Sequence, residues 1–129
     1  MKTLSRRALL ATAVVLPSAA LAQSYPARPI KLVVPYAPGG GADGVARITA
    51  KRVSEQIGQP IVIENKGGAG SIVGTDLVAK AEPDGYTLLL GQSGPISINP
   101  AVYKSLPYDP VKDFAPITMT TGYPYILVV

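Results

Sequence analysis

Two glycine-rich segments are the part of this sequence best suited to chemistry. Each follows a short β-rich run and precedes a helical pattern. A helix N-terminus exposes unpaired backbone N–H groups and about half a unit of positive charge from the helix dipole, and glycine lets a ligand approach that backbone. The sequence therefore predicts an anion site, for a carboxylate or a phosphate, that needs no charged side chain. Its candidate residues are Pro38, Gly39, Gly40, Gly41 and Asp43 in the first segment and Gly68, Ala69, Gly70 and Ser71 in the second.

Three polar residues near the predicted helix starts allow two interpretations each. The Asp43 side chain can cap the first helix by accepting a backbone N–H bond. It can instead accept a bond from an ammonium, a hydroxyl or a bridging water at the ligand. We favour capping. Ser71 and Thr75 offer the same choice between a role at the helix start and a hydroxyl that donates to a ligand.

The second segment also invites a dinucleotide interpretation. Gly68, Gly70 and Gly74 have the spacing G-x-G-x-x-x-G between a strand and a helix, a looser form of the dinucleotide fingerprint. No acidic residue follows the next strand to hold a ribose, since Leu90 leads to Gly91 and Gln92. The phosphate loop of nucleotide hydrolases is absent as well, so the pattern is a weak indication of a nucleotide site.

Composition argues against most catalytic and nucleic-acid functions. The chain has no histidine and no cysteine, which removes the usual general base and the usual zinc ligands. We therefore predict no catalytic residue, no metal and no cofactor. The formal charge of +4 includes Lys2, Arg6 and Arg7; without them, nine basic residues face eight acidic ones. Such a balance offers no electrostatic footprint for nucleic acid.

Residues 1–22 are predicted to be an export signal. Three basic residues precede an apolar run, Ala8 to Ala20, that is too short to span a bilayer. Ala20 and Ala22 are the small residues that signal peptidase requires, so we expect cleavage before Gln23. Arg6 and Arg7 also resemble a twin-arginine signal, and the choice between the general secretory and the twin-arginine route stays open.

Residues 23–91 have the pattern of a β-α-β-α-β unit, the half of a doubly wound α/β domain. The strands are predicted at 30–34, 61–64 and 86–90, the last apolar enough to be buried on both faces. The first helix is predicted over 42–57, ended by Gly58, with Val45, Ile48, Val53 and Ile57 inward. The second is predicted over 71–81, with Ile72, Val73, Leu77 and Val78 inward.

Residues 92–129 are predicted to be a crossover and the start of a second lobe. Four prolines between Ser93 and Pro116 indicate a connection with one short helical turn. Two further strands are predicted at 117–121 and 125–129. The last of them stops without a polar tail, so we expect the chain to be truncated.

An ordered set of short motifs resembles one family over nearly the whole segment after the signal. This is the family of periplasmic substrate-binding subunits of tripartite tricarboxylate transporters, called TctC-like or Bug proteins. The matching stretches are 25–30, 34–43, 46–47, 58–60, 62–65, 68–70, 81–88, 98–100 and 106–114. Two departures fall in the second segment: the family usually has proline at the place of Gly67, and a further glycine and a small polar residue where this chain has Ser71 and Ile72.

The resemblance implies a two-lobed periplasmic-binding-protein fold that closes on its ligand by a hinge, of which this chain holds part of the first lobe. It implies that the loops 38–43 and 68–74 pinch one carboxylate of the ligand, partly through water. Implied ligands are di- and tricarboxylates, acidic amino acids and aromatic acids. Implied partners are the membrane subunits of such a transporter, although many members of the family have no transporter genes beside them.

Two other function classes remain open. An exported α/β enzyme with a bound nucleotide cofactor would use the glycines of the second segment for phosphate. A sensory binding module would share the receptor's fold and differ in its partner genes. We favour a non-enzymatic, monomeric, periplasmic transport receptor for a small carboxylate.

Overall fold

The computed structural model describes residues 24–122, and the sheet within them has three parallel strands. Strand β1 spans Ile30–Val34, β2 spans Ile61–Asn65 and β3 spans Thr87–Leu89, in the order β2-β1-β3. Ile30 pairs with Ile61 and Leu32 with Leu88. The predicted export signal and the predicted strand at 125–129 lie outside the described residues.

The strand order places helices on both faces of the sheet. The chain moves one way from β1 to β2 and the other way from β2 to β3, so right-handed crossovers put α1 (Gly41–Ile57) and α2 (Ile72–Ala79) on opposite faces. The core on the α1 face contains Leu32, Val34, Ala46 and Leu90. The predicted doubly wound α/β arrangement is thereby confirmed for the described part of the chain.

Helix α1 ends as predicted but faces the sheet with other residues. Gly58 adopts the left-handed conformation, with φ of 69°, and its N–H donates to the Ser54 carbonyl at 3.0 Å. The buried residues of the helix are Asp43, Ala46 and Ala50. Ile48, predicted to face inward, is 70% exposed. At about 100° per residue it lies some 200° around the helix from Ala46, so its prediction as a core residue is wrong.

Helix α2 is shorter than predicted and packs through small residues. It begins at Ile72, after a 3₁₀ turn at Ala69–Ser71, and ends at Ala79. Its buried residues are Gly74 and Thr75, whereas Val73, predicted inward, is half exposed. At Gly74 the helix lies so close to Pro35 and Lys66 that there is no room for a side chain.

The third strand is less buried than its sequence indicates. Thr87, Leu88 and Leu89 are each only partly buried, and β3 lies at an edge of the described sheet. The prediction that both of its faces are buried is wrong. Leu90, just after the strand, is the residue that enters the core.

The segment after β3 contains more helix than predicted. A π-helical turn at Gly94–Ile98 runs directly into α3 at Asn99–Val102. The Tyr108 hydroxyl donates to the Pro95 carbonyl at 2.7 Å and fixes the next stretch against this turn. The predicted strand at 117–121 is wrong: a strand needs a hydrogen-bonded neighbour, and none of the three described strands pairs with it.

A cluster at the amino-terminal edge of the sheet attaches the residues before β1 to the turn before β3. The Tyr25 hydroxyl donates to the Gly85 carbonyl at 2.7 Å. Arg28 forms a 2.6 Å ion pair with Asp84 and lies over the Tyr86 ring at 3.9 Å. These contacts are at the opposite end of the strands from the two glycine-rich segments.

Candidate functional site

The two predicted loops lie side by side at the carboxyl edge of the sheet. The first follows β1, the second follows β2, and these strands are neighbours. A Cβ placed on Gly67 would be 3.4 Å from the Ala37 backbone nitrogen, so the two loops pass close to each other. The Lys66 N–H donates to the Val34 carbonyl at 2.8 Å and fastens the second loop where β1 ends. The expected juxtaposition of the loops is confirmed.

The first loop leaves donors free at the start of α1. Gly40 is the N-cap residue, and no side chain bonds to the N-terminus of the helix there. The first intrahelical bond runs from the Gly44 N–H to the Gly40 carbonyl at 3.0 Å. Within residues 24–122, the N–H groups of Gly41 and Ala42 have no acceptor, and the loop at 38–41 is exposed. Free N–H groups at a helix N-terminus are groups to which anions commonly bind.

Asp43 holds the first loop in place. It is the third residue of α1 and only 4% exposed, and its side chain makes no capping bond to the helix, so the predicted capping is wrong. Its Oδ2 accepts a bond from the Gly39 N–H at 2.9 Å and another from Arg47 Nε at 2.8 Å. Gly39 has φ of 85°, and the bond to Asp43 fixes this left-handed turn. The carboxylate therefore acts on the loop that precedes the helix.

Asn65, which the sequence did not single out, joins the first loop to β2. Its Nδ2 donates to Asp43 Oδ1 at 3.0 Å and to the Tyr36 carbonyl at 3.3 Å. The Arg47 guanidinium, then the Gly39 N–H and then the Asn65 amide hold the pKa of Asp43 well below its usual range. The carboxylate consequently stays ionised and keeps its three donors. An asparagine at the end of a strand beside a glycine loop is the signal that was missed.

The second loop is a left-handed turn. Gly68, Ala69, Gly70 and Ser71 all have positive φ, of 123°, 47°, 64° and 71°. Left-handed backbone costs a residue with a Cβ roughly 1–2 kcal/mol, so Ala69 and Ser71 store strain that the surrounding contacts must hold. Strain of this kind occurs often at ligand sites. Gly68, Ala69 and Gly70 are exposed, and Ser71 is buried.

The hydroxyl groups of Ser71 and Thr75 differ in their hydrogen bonds. The Thr75 hydroxyl donates to the Ser71 carbonyl at 2.8 Å and is fully buried, which favours its role in the first turn of α2 over a ligand contact. Ser71 occupies the N-cap position, but its side chain makes no capping bond. Its predicted contact with a ligand stays a prediction.

The segment after β3, which is predicted from the sequence to be a connection, forms a third wall of the candidate site. It passes over the end of β1, where a Cβ on Gly94 would be 3.3 Å from the Tyr36 hydroxyl. It then reaches the second loop, where Asn99 Nδ2 donates to the Gly70 carbonyl at 2.9 Å. Asn99 is buried and lies in the stretch 98–100, one of the family-like motifs of the sequence.

A cavity of about 480 Å³ lies between the first turns of α1 and the segment that follows β3. The strand order reverses between β1 and β3, and such points are the usual ligand crevices of open α/β sheets. Apolar residues at its wall include Ala42, Val45, Leu90 and Ile96, and the others are glycine, serine, threonine and glutamine. None of the nine predicted site residues lines it, so the cavity extends the predicted anion site to one side.

The third glycine of the dinucleotide-like pattern has a packing role. A Cβ on Gly74 would overlap the Lys66 carbonyl oxygen and lie 3.0 Å from Pro35 Cα. The close approach of α2 to the sheet therefore accounts for Gly74 without a nucleotide. Among residues 24–122, no group of three acidic side chains is placed to hold a metal ion. No helix in that range combines the length and hydropathy of a membrane span.

Comparison with known sequences places the chain among transport receptors. The profile of the tripartite tricarboxylate transporter family receptors matches residues 45–129. Protein BugT of Bordetella pertussis is 44% identical over 108 residues, covering 83% of this chain and 33% of BugT. The chain thus spans about a third of the length of the curated relatives that it matches.

Comparison with solved structures agrees. The periplasmic binding protein BugD superposes with a TM-score of 0.69 at 48% identity, covering 72% of this chain and 31% of BugD. MatC from Rhodopseudomonas palustris, solved with bound malate, gives a TM-score of 0.69 at 43% identity over 71% of this chain and 31% of MatC. The fold is therefore a partial periplasmic-binding-protein fold, as predicted.

Proposed function

The chain belongs to the tripartite tricarboxylate transporter receptor family, and we propose from that premise that it forms the loop-bearing wall of a periplasmic protein that captures a small carboxylate. The proposal includes the nine predicted site residues: Asp43 holds the first loop in place, and the other eight form the anion-binding part of that wall. It includes no catalytic step, since the site has no histidine or cysteine to act as base or nucleophile. BugD and MatC, which it resembles, are a binding protein and a malate-bound structure.

The observation that carries the proposal is the pair of helix starts at one sheet edge. The N–H groups of Gly41 and Ala42 are free of acceptors in the described chain, and the exposed turn at 68–70 lies beside them. Two such N-termini attract negative charge through their dipoles and their N–H groups. Arg47, a basic side chain beside the first loop, is paired with Asp43. Backbone donors are therefore the groups that this wall offers to a carboxylate.

The uncharged cavity could hold the part of the ligand that lies beyond the bound carboxylate. It adjoins the first turn of α1 through Ala42, and its wall has no charged side chain. A carboxylate held at the first loop would direct its uncharged carbon skeleton into this cavity. Burial of that skeleton adds to affinity in proportion to its apolar area.

We extend the proposal to export and partners. The segment at 1–22 would direct the chain to the periplasm, with cleavage before Gln23 by either export route. A monomeric receptor would then deliver its carboxylate to the membrane subunits of a tripartite tricarboxylate transporter. The family membership of the chain supports both points.

The first test is a thermal-shift panel on the protein expressed from its whole gene. We expect at least one di- or tricarboxylate, acidic amino acid or aromatic acid to raise the unfolding temperature. At 100 times its Kd a ligand stabilises the folded state by about 2.7 kcal/mol. The matching amides should give no shift, because helix N-termini discriminate for the anion. A shift with nucleotides and none with carboxylates would contradict the proposal and favour the exported cofactor-dependent enzyme.

Gly40→Leu tests the first loop directly. Gly40 has φ of −83° and ψ of 175°, which leucine adopts freely, and the nearest atom to its new Cβ would be the Ala37 carbonyl oxygen at 3.8 Å. The fold should therefore persist, while the side chain covers the free N–H groups and weakens binding about 100-fold or more, the loss of two charge-assisted hydrogen bonds. Calorimetric titration measures this loss.

Gly44→Leu is the matched control for Gly40→Leu. Gly44 is one turn further along α1, exposed, with no atom within 4 Å of a new Cβ. Its N–H is already bonded to the Gly40 carbonyl, so the variant should bind as the wild type does. Equal affinities in all three proteins would mean that the first loop is not the site.

A further inference from the structure

We propose that the Tyr103 hydroxyl is a ligand-binding group, which donates a hydrogen bond to the carboxylate held beside the second loop. The inference rests on the proposed function and adds a residue from the third wall, outside both glycine-rich segments. A phenol hydroxyl is a neutral donor at ordinary pH. It would therefore contribute to an anion site in the same way as the backbone N–H groups around it.

The position of the hydroxyl supports the inference. A Cβ placed on Gly70 would be only 3.2 Å from the Tyr103 hydroxyl oxygen, so this oxygen lies against the surface of the left-handed turn. The turn is the part of the second loop that is exposed. A ligand oxygen that contacts the exposed face of Gly70 is thus within reach of the Tyr103 hydroxyl.

The hydroxyl is also free to act. Within residues 24–122, it has no hydrogen-bond partner, and the residue is 44% exposed. Three of the other four tyrosines in that range differ: the Tyr25 and Tyr108 hydroxyls donate to backbone carbonyls, and the Tyr86 hydroxyl accepts the Ala27 N–H. The fourth, Tyr36, lies beside Gly94 at the end of β1. A tyrosine with an engaged hydroxyl stabilises the fold, whereas one that keeps its donor at an exposed site can give it to a ligand.

The backbone of Tyr103 is held in place beside the loop. Its N–H donates to the Asn99 carbonyl at 2.9 Å, and the Asn99 side chain donates to the Gly70 carbonyl at 2.9 Å. Asn99 therefore ties the end of α3 to the second loop. The backbone that carries the ring is therefore already ordered, so little backbone entropy is lost when the hydroxyl binds a ligand.

The test compares Tyr103→Phe with Tyr25→Phe in the protein expressed from its whole gene. Calorimetric titration uses each acid of the panel above, malate first, and thermal unfolding is followed without ligand. We expect Tyr103→Phe to weaken binding about tenfold, the effect of losing one hydrogen bond to a charged group. Its unfolding temperature should match the wild type. Tyr25→Phe loses the bond to Gly85 at the opposite edge, so it should unfold at a lower temperature and bind normally.

Each other outcome overturns the inference. Unchanged affinity in Tyr103→Phe, with or without a lower unfolding temperature, would mean that the hydroxyl has no role in binding. If the wild type binds an acid and Tyr103→Phe binds it equally well, the proposed carboxylate receptor stands, but Tyr103 is not one of its ligand-binding residues. If the wild type binds no acid of the panel, both proposals fall.

Discussion

Gly74→Ala is expected to lower the free energy of unfolding by about 3 kcal/mol, at the upper end of the cost of overpacking. The new methyl group would overlap the Lys66 carbonyl oxygen and approach Pro35 Cα and Cβ to 3.0 Å. Two of these are backbone atoms and the third belongs to a proline ring, so none of them can rotate away. α2 would have to move off the sheet. Since domains are stable by only about 5–15 kcal/mol, the loss should be plain in urea unfolding followed by circular dichroism.

Gly44→Ala is the control for this prediction. Gly44 lies inside α1, is exposed and has no atom within 4 Å of a new Cβ. Alanine in such a helix position should stabilise the protein by about 0.5–1 kcal/mol, because glycine loses more backbone entropy on folding. The same substitution is thus expected to have opposite signs at the two glycines. A destabilisation of less than about 1 kcal/mol at Gly74 would mean that α2 is not fixed by this contact.

The fold was largely predictable because local patterns set the element types. β1 has the predicted bounds, and α1 and β2 differ from prediction by one residue at an end. The errors concern which face is buried. Ile48 and Val73 are more hydrophobic than the small residues that contact the sheet, but Ala46 and Gly74 allow the helices to approach closely. Hydrophobicity ranks residues by transfer free energy, whereas packing at a close contact selects them by size.

The positions of the two loops could be predicted, because they follow from the order of strands and helices along the chain. The side-chain contacts between distant parts of the sequence could not. Both glycine loops follow neighbouring strands, and parallel strands bring their ends together. Asn65 and Asn99 were missed because their side-chain contacts join residues 22 to 29 positions apart in the sequence.

Asp43→Asn is expected to weaken ligand binding about tenfold, since a loosely held loop no longer presents its N–H groups in one geometry. All three partners of the carboxylate are donors: the Gly39 N–H, Arg47 Nε and Asn65 Nδ2. An asparagine side chain has one oxygen and one NH₂ group, so its NH₂ must face at least one of these donors. The variant should therefore release either the turn at Gly39 or the bridge to β2. Calorimetric titration and thermal unfolding should both show the loss.

Asp84→Asn is the matched control. Asp84 also pairs with an arginine, Arg28, and accepts a backbone N–H, that of Tyr86 at 2.9 Å. It lies at the amino-terminal edge and its side chain is exposed, so its substitution should change stability little and affinity not at all. Equal affinity losses in the two variants would contradict a specific role for Asp43 in the loop.

The pH dependence of the Asp43→Asn effect separates the charge from the shape of the side chain. The pKa of Asp43 is lowered in the folded protein, first by the Arg47 hydrogen bond and then by Gly39 and Asn65. An aspartate with a lowered pKa contributes stability that is complete above its unfolded pKa of about 3.9 and is lost as the pH falls toward the folded value. The gap in unfolding temperature between wild type and Asp43→Asn should therefore be constant from neutral pH to about pH 5 and narrow below pH 4.

Glu64 and Asp109, whose pKa values are also lowered, are present in both proteins and cancel in the difference. A gap that stays constant to pH 3 would mean that the variant acts through the shape of the amide, and that the ionised carboxylate does not hold the first loop.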